Sequence, residues 1–279
     1  MHDPLNGLLQ RLVALAPPEH GRIMSLVRQT CATTMSLPPL PTEVEADRPI
    51  DEEESVAVEF AEQFSADVSS VGDDLRSRFM SKLGHAAFPA VMLTYFADYL
   101  PRVRASFAAL GLPAPWGDTI EWDHDSDPGD VLFNTFQPGV ARLRELDPLT
   151  TELVRLRGAT QHNCRLCRSR RETRALDEGG SEDLYEQIEW YETSDALSDR
   201  HRAALRYTDA LIWTPGHITA AVASDMRSHF TEAQCYELTV DVMRNAGNKI
   251  AVALAADAPN VDSGTERFVL DEDGQAVTV

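Results

Sequence analysis

An internal repeat constrains the fold of this 279-residue chain more than any other feature of its sequence. Four segments of the first half resemble four segments of the second half, in the same order. The pairs are SLVRQT (25–30) with ELVRLR (152–157), VEFAEQF (58–64) with LRYTDAL (205–211), DLRSRF (74–79) with DMRSHF (225–230), and FPAVMLTYFADYLPRVRASFAAL (88–110) with the segment that begins at Tyr236. Their offsets are 127, 147, 151 and 148 residues. Similar offsets in the same order predict a duplicated unit.

The second copy of this unit has the spacing of apolar residues that is typical of helices. The segment 198–213 begins with Ser198, a favourable N-cap, and then places apolar residues at helical intervals. The segment 231–257 opens with Thr231 and Gln234, which fit a capping box, and continues with one apolar face. The sequence therefore predicts two long helices in this half.

Strand signals are scarce, so the sequence predicts an all-α fold of two tandem helical repeats, the first degenerate. In RFVLDEDGQAVTV (267–279), DEDG separates two short apolar runs, and a hairpin and an unstructured tail both remain open. Between the copies, residues 111–130 are rich in Pro, Gly and Asp and indicate a linker. The predicted boundaries are a degenerate repeat at 1–110, a linker at 111–134, a second repeat at 135–260 and a tail or short hairpin at 261–279.

The charge of the chain limits the partners that we expect. Its formal net charge of −20 disfavours nucleic acid and anionic membranes as partners. The sequence contains no apolar run as long as a membrane span, and its first residues lack the features of a secretory signal peptide. We therefore expect a cytoplasmic protein, in which cysteines are normally reduced.

The segment QHNCRLCRSRR (161–171) contains two of the four cysteines in the chain, Cys164 and Cys167. A structural disulfide does not account well for this pair in a reducing compartment. At the offset of 127, the first copy has Leu37 and Leu40 in their places. Because one copy lacks the cysteines, the fold alone does not require them, and this asymmetry points to chemistry confined to the second half.

The surroundings of the pair favour a reactive thiol. A cysteine at the start of a helix, among arginines, is stabilised as the nucleophilic thiolate. In a C-x-x-C turn, a sulfenic acid on one cysteine can be resolved by the other as a disulfide. Glu152 and His162 are the nearby side chains that we expect to accept a proton.

A zinc site and a pair of inert thiols are also compatible with the two cysteines. A zinc site needs two further ligands, and the sequence offers His162 nearby but no second C-x-x-C and no H-x₃-H. Inert thiols would lie buried in the interior, although the neighbouring arginines argue against an apolar environment. For Cys31 and Cys235 we expect plain packing in the interior.

The segments ELVRLRGATQHNCRLCRSRR, RHRAALRYTDALIWTPGHIT and HFTEAQCYELTVDVMRNAGNKIAVAL resemble the carboxymuconolactone decarboxylase superfamily, and most closely its alkylhydroperoxidase D-like branch. The resemblance is good over 139–257 and faint over 7–110. The motif of this branch is a glutamate twelve residues before the first cysteine of C-x-x-C, and a histidine four residues after the second. Glu152, Cys164 and Cys167 fit the motif, but position 171 is Arg171.

The resemblance implies an all-α protein that forms homo-oligomers, needs no cofactor or metal, and reduces hydroperoxides with electrons from a dithiol or a protein thiol. Carried over, Cys167 attacks the peroxide, Cys164 forms the disulfide, and Glu152 is the acid and base. Arg171 cannot be a general base because its guanidinium stays protonated, but it can stabilise the Cys167 thiolate. His162 either replaces the missing histidine or is an ordinary surface residue.

Two rival functions are compatible with the same fold. One is a binding or regulatory module that uses the cysteine pair as a redox sensor. The other is an enzyme without peroxidase activity, such as a lactone decarboxylase or a tailoring enzyme. The decarboxylases of the superfamily do not depend on a C-x-x-C pair, which disfavours that branch.

Overall fold

The computed structural model describes residues 3–279, with side chains described from residue 7 onward. The protein is all-α, as predicted, with 64% of its residues in helices and 5% in strands. None of the helices in residues 3–279 combines the length and the hydrophobicity needed to cross a bilayer.

The first half of the described chain contains five α-helices. They are α1 (Asp3–Ala14), α2 (Gly21–Thr34), α3 (Glu52–Ala66), α4 (Asp73–Leu83) and α5 (Ala87–Leu110). The acidic segment before α3 is a loop that leads into a helix N-terminus: the Asp51 carboxylate accepts a hydrogen bond from the Glu54 N–H, and Glu54 pairs with Arg22. The first turn of α3 therefore receives both a cap and favourable negative charge.

The second half contains three helices of 14 or 15 residues, several shorter ones and a small sheet. Its elements are α6 (Pro128–Asp130), which continues through a π-helical turn (Val131–Phe136) into α7 (Gln137–Ala141), then α8 (Pro148–Gln161), α9 (Arg165–Arg168), β1 (Arg170–Glu172), α10 (Thr173–Asp177), α11 (Glu182–Glu186), α12 (Asp199–Trp213), α13 (Ala220–His229), α14 (Glu232–Ala246), α15 (Asn248–Ala253), β2 (Glu266–Leu270) and β3 (Ala276–Thr278). Short 3₁₀ turns lie at Pro18–His20, Val68–Ser70, Gly84–Ala86, Gln187–Trp190 and Pro215–His217.

The predicted helix starts in the second half are confirmed. Ser198 caps α12 by accepting a hydrogen bond from the His201 N–H. Thr231 and Gln234 form the reciprocal hydrogen bonds of a capping box at the start of α14. The single long helix predicted over 231–257 is wrong in detail, because α14 ends at Ala246 and the shorter α15 follows.

The break between α14 and α15 lies at Gly247. A Cβ atom at this position would approach the Gln137 Nε2 atom to 2.5 Å, so the side chain of another residue would not fit there without a shift. The new helix then ends before Ala255, which takes a positive φ of 53°. The segment that the sequence pattern described as one helix therefore contains two helices and ends at a residue with a positive φ.

The two halves pack their helices in the same scheme. In the first half, α2 packs on α3 and α5, and α3 packs on α4. In the second half, α8 packs on α12 and α14, and α12 packs on α13. These are the pairs that the sequence matches make equivalent, and α5 also contacts α13 and α14 across the two halves.

The ends of α2 and α8 also correspond at the offset of 127 residues. Ser36 and Asn163 have positive φ values of 56° and 53°. The N–H groups of Leu37 and Cys164, the next residues, each donate to the carbonyl five residues earlier, over 2.8 and 2.9 Å. This shared backbone geometry supports the predicted duplication.

The sheet is small and joins the end of the chain to the segment after α9. β2 pairs antiparallel with β3, and on its other side it pairs parallel with β1, so that Arg170 lies opposite Glu266. Of the two possibilities left open for residues 267–279, the structure contains the hairpin. Its third strand comes from a distant part of the sequence, which a local pattern cannot indicate.

A buried ion cluster joins the halves at the centre of the molecule. The Asp98 carboxylate on α5 accepts a hydrogen bond from the Arg102 guanidinium over 3.0 Å and one from the Lys249 ammonium on α15 over 2.6 Å. These three side chains are 0%, 1% and 3% exposed. Burial opposes the charge of Asp98, but the two cations outweigh it and lower the pKa of this carboxyl.

We expect Asp98→Asn to lower the free energy of unfolding by about 3–5 kcal/mol, because it leaves two buried cations without their counter-charge. Urea denaturation followed by circular dichroism measures this change. Asp118→Asn is the matched control: the Asp118 side chain is fully exposed beside Arg104, so its loss should change stability by less than about 0.5 kcal/mol. Equal effects of the two substitutions would contradict the central role of the cluster.

Candidate functional site

The cysteine pair lies at the junction between α8 and α9. After α8 ends, Asn163 turns the chain and Cys164 becomes the N-cap of α9. The Cys164 sulfur accepts a hydrogen bond from the Cys167 N–H over 3.2 Å. The two sulfurs are at disulfide-bonding distance, with their Cα atoms 5.4 Å apart. The C-x-x-C turn therefore holds the geometry of an oxidised pair without any rearrangement of the backbone.

The two cysteines differ in their access to solvent. Cys164 is 0% exposed and belongs to the main hydrophobic core, whereas Cys167 is partly exposed and packs against the edge of that core. The expectation that the arginines keep both thiols out of an apolar environment is therefore wrong for Cys164. The physical reason is that the arginine side chains around the pair extend to their own carboxylate partners, Asp257, Glu266 and Glu182.

Each of three arginines near the pair has its own carboxylate. Arg165 pairs with Asp257 over 2.7 Å, Arg170 with Glu266 over 2.9 Å, and Arg171 with Glu182 over 2.7 Å. Arg168 is exposed and reaches only the Asn163 side chain, over 3.4 Å. The positive charge predicted from the sequence is therefore largely neutralised within the structure.

Arg171, which stands where the family motif has histidine, points toward α11. Besides its ion pair with Glu182, its guanidinium donates to the carbonyls of Arg168 and Arg170 and lies 5.3 Å from the centre of the Tyr185 ring. In residues 3–279 it makes no hydrogen bond to either cysteine sulfur. Arg171 thus holds the loop after the pair in place through backbone carbonyls.

Glu152 is buried inside α8 and forms a two-point ion pair with Arg155, with N–O distances of 2.6 and 2.7 Å. It also accepts a hydrogen bond from the Glu172 N–H over 3.1 Å. Arg155 donates to the carbonyl of Cys167 over 2.8 Å and to that of Arg170 over 2.7 Å. The link between Glu152 and the cysteine pair therefore passes through the Arg155 guanidinium.

Arg155 was missed in the sequence analysis. It stands three residues after Glu152 in ELVR, a spacing at which side chains on one helix face can pair. The first copy has the same arginine, Arg28, whose guanidinium donates to the carbonyls of Val13, Leu15 and Pro41. An arginine in both copies that donates to backbone carbonyls outside its own helix was a signal for a structural role.

His162 is buried at 4% exposure, so it is not the surface histidine considered in the sequence analysis. Its Nδ1 atom lies 2.9 Å from the Asn248 Oδ1 atom, and its Nε2 atom lies 3.0 Å from the Tyr99 hydroxyl. Because an amide oxygen only accepts, Nδ1 carries the proton, and Nε2 accepts from Tyr99. Both ring nitrogens are occupied, and neither is directed to a sulfur.

The environment of His162 keeps it neutral. Burial, together with the nearby Lys249 ammonium, lowers the pKa of the imidazole to about 3. A group that stays neutral and hydrogen-bonded at both nitrogens does not take up a proton near pH 7. In this arrangement His162 supports the end of α8.

Cys31 and Cys235 are buried, as predicted. Burial raises the pKa of the Cys31 thiol to about 12 and that of the Cys235 thiol to about 11. Neither thiol ionises near neutral pH, so both behave as apolar side chains. Cys164 and Cys167 form the one disulfide-distance pair among the described residues.

A polar cavity lies on the other side of Glu152, between α8, α14 and β2. Two carboxyls of α14 line it, Glu237 and Asp241. Burial raises the pKa of Glu237 to about 7 and that of Asp241 to about 6, and the Arg244 charge partly offsets the effect on Asp241. The sequence analysis assigned these two residues to the helix and not to a site.

Within the described residues, no group of three or more His, Cys, Asp or Glu side chains is arranged to hold a metal ion. The chemistry that the pair itself can perform is thiol–disulfide exchange, since a buried and a partly exposed sulfur lie at bonding distance.

Comparison with known proteins gives two close relatives. Uncharacterized protein MT2376 of Mycobacterium tuberculosis (strain CDC 1551 / Oshkosh) is 54% identical over 273 residues, which cover 96% of each chain. Uncharacterized protein Rv2313c of Mycobacterium tuberculosis (strain ATCC 25618 / H37Rv) has the same identity and coverage. No family model matches the sequence, and no solved structure matches the fold. At this identity over nearly the full length of both chains, the protein belongs to the same family as these two mycobacterial proteins.

Proposed function

We propose that the protein is a thiol-dependent peroxidase, in which Cys164 and Cys167 cycle between dithiol and disulfide while a hydroperoxide is reduced. The observation that carries the proposal is the pairing of one buried and one partly exposed cysteine at bonding distance in a C-x-x-C turn. The motif resemblance at Glu152, Cys164 and Cys167 supports the same chemistry.

The unequal exposure assigns an order to the steps. The accessible Cys167 thiolate attacks a peroxide oxygen, the O–O bond breaks, and a sulfenic acid forms as the alcohol or water leaves with a proton. The Cys164 sulfur then attacks the sulfenic sulfur, the S–S bond forms, and water leaves. A dithiol donor finally reduces the disulfide and is itself oxidised to a disulfide.

The proposed role of Arg155 is to position this turn. Its guanidinium binds the Cys167 carbonyl and is held by Glu152, so the orientation of the attacking cysteine depends on this ion pair. Solvent at the partly exposed Cys167 is the proton source that remains, because His162 and Glu152 are both engaged. We therefore expect slow peroxide reduction compared with a site that has a free acid–base residue.

A second candidate is a redox sensor. It is favoured by the same contacts, which leave neither Glu152 nor His162 free to transfer a proton. A sensor needs to be oxidised once and then reduced slowly to the dithiol, and it does not need a proton relay for rapid turnover. Formation of the disulfide would fix the Cys167 side chain beside the backbone that Arg155 binds, without moving that backbone. Turnover with a dithiol donor separates the two candidates.

The partners and the compartment follow from this proposal. We propose a hydroperoxide as substrate, a dithiol or a protein thiol as electron donor, and a reducing compartment such as the cytoplasm. We also propose that the first repeat is a scaffold that covers surface on the second, and that the protein forms a homo-oligomer.

The two cysteines should give different results when each is replaced by serine. Cys167→Ser should abolish peroxide consumption, because the accessible nucleophile is lost. Cys164→Ser should consume about one peroxide per site and then stop, because the sulfenic acid cannot be resolved. Peroxide consumption per site and the intact mass, both measured after addition of peroxide without a thiol donor, test these outcomes, because dithiothreitol would itself reduce the sulfenic acid.

Cys235→Ser is the matched control and should leave turnover unchanged, since Cys235 is a buried thiol away from the pair. If the wild type takes up one oxidation but shows no turnover, the sensor replaces the peroxidase. Equal activity of the wild type and both variants of the pair would rule out either use of the cysteines.

The stability of the protein should fall as the pH is lowered from about 6.5 toward 3, in part because of His162. The imidazole has an ordinary pKa of 6.5 in the unfolded chain and a pKa of about 3 in the folded protein, so the unfolded state binds more protons in this range. His162→Gln removes this contribution. The stability advantage of the wild type over the variant should therefore shrink by up to about 1.4 kcal/mol for each pH unit below 6.

Urea denaturation at a series of pH values tests this expectation, with His124→Gln as the control at an exposed histidine. The control should follow the wild type. A constant difference between the wild type and His162→Gln from pH 7 to pH 4 would contradict the assignment of a neutral imidazole in the folded state.

A further inference from the structure

An apolar groove lies between α5, the segment after α2 and the 3₁₀ turn at Pro215–His217. Its volume is about 620 Å³, which is within the usual range for small-molecule sites. Four buried side chains form its floor: Leu40, Pro101, Trp116 and Pro215. Its walls are mainly aliphatic and come from Leu37, Pro38, Pro39, Ala105, Ala109 and Ile218.

The groove corresponds in the first copy to the cysteine turn of the second. At the offset of 127 residues, Leu37–Leu40 is equivalent to Cys164–Cys167. In the second copy this segment forms α9, whereas in the first copy Pro38 and Pro39 lack N–H groups and the segment is irregular. A helical turn with two thiols is thus replaced by an extended apolar wall.

One cation stands at the rim of this groove. The Arg104 guanidinium lies over the Trp116 ring, 5.4 Å from its centre. Its carboxylate partner is Asp118, at 3.5 Å, and the Asp118 side chain is fully exposed. An ion pair with so exposed a partner contributes little, so Arg104 can bind another anion at small cost.

A buried donor lies beneath this cation. The Trp116 Nε1–H group is buried and has no hydrogen-bond acceptor among the residues that the structure describes. A buried donor without an acceptor is unfavourable, and an oxygen atom bound between Arg104 and the indole would satisfy it. Trp116 and Arg104 both line the groove, so the apolar walls and the two donor-bearing side chains border the same space.

We propose that this groove binds an aliphatic monocarboxylate, with its hydrocarbon chain on the proline and alanine walls and its carboxylate at Arg104 and the Trp116 N–H. The apolar walls favour a hydrocarbon chain, since burial of apolar surface is their main contribution. A guanidinium together with a neutral N–H donor favours a carboxylate over an uncharged head group. This site is separate from the cysteine pair and does not depend on its redox chemistry.

Titration calorimetry of the whole protein with octanoate, and separately with octan-1-ol, tests the proposal. Octanoate should bind to a single saturable site with a Kd of about 1 mM or below, as expected for a small ligand of this size. Arg104→Gln should weaken octanoate roughly five- to tenfold, because the charge-assisted bond is lost at a partly exposed position. The affinity for octan-1-ol should change less than about twofold, since the chain contacts remain.

Three further proteins complete the experiment. Arg104→Lys should recover part of the octanoate affinity, and Arg142→Gln, an exposed arginine whose guanidinium donates to the Asp273 carbonyl, should leave it unchanged. Ala105→Trp should fill the groove and abolish binding of both ligands while circular dichroism shows an intact fold, because Ala105 is only half-buried.

Each result either supports the site or overturns it. Saturable octanoate binding that depends on Arg104 and is blocked at Ala105 supports the site. Absence of saturable binding at about 10 mM octanoate overturns the proposal, as does binding that Ala105→Trp leaves intact. Equal losses of octanoate and octan-1-ol affinity in Arg104→Gln would overturn the carboxylate as the recognised group. Because Cys167→Ser leaves this groove untouched, failure of the peroxidase proposal would not affect the result.

Discussion

The buried carboxylate of Asp98 is the interaction on which the rest of the structure depends. It holds Arg102 and Lys249 inside a hydrophobic core, where an unpaired charge would be very unfavourable. Arg102 in turn donates to the carbonyls of Ser65 on α3 and of Ile212 on α12. Asp98 therefore fixes Arg102, which contacts both halves, and Lys249 on α15. Next to Lys249, Asn248 holds His162, so the end of α8 and the cysteine turn are supported from this centre.

Arginine side chains serve as a common structural device in both copies. Arg28 and Arg155 occupy equivalent positions, and each donates to backbone carbonyls outside its own helix. The second copy adds Glu152, which pairs with Arg155, where the first copy has Ser25. The acid that the family motif identifies is thus engaged with the arginine that shapes the cysteine turn. The candidate chemistry of the second half is built on a contact that the first half already uses for folding.

The sequence predicted those features that depend on neighbouring residues. The N-cap at Ser198 and the capping box at Thr231 and Gln234 involve side chains within one helical turn, and both were confirmed. The end of α14 at Gly247 was not predicted, and the nearest side-chain contact there, that of Gln137, comes from a residue far away in sequence. The same limit applies to the candidate site. The sequence placed Cys164 and Cys167 together because they are close in the chain. It did not predict that Cys164 lies in the core, because the arginines beside it find their partners in distant carboxylates such as Asp257 and Glu266. The periodicity of apolar residues indicates which face of a helix is buried, but it does not indicate which charged side chains form ion pairs.

The attachment of the cysteine loop to the end of the chain has a consequence for folding kinetics. The Arg165 N–H donates to Asp257, 92 residues further on, and β1 can pair only after β2 exists. Contacts between such distant residues form late, because the intervening chain must first be ordered. During synthesis, α8 and both cysteines leave the ribosome well before the segment that encloses them. The two thiols are therefore synthesised before the residues that hold their turn in the folded protein.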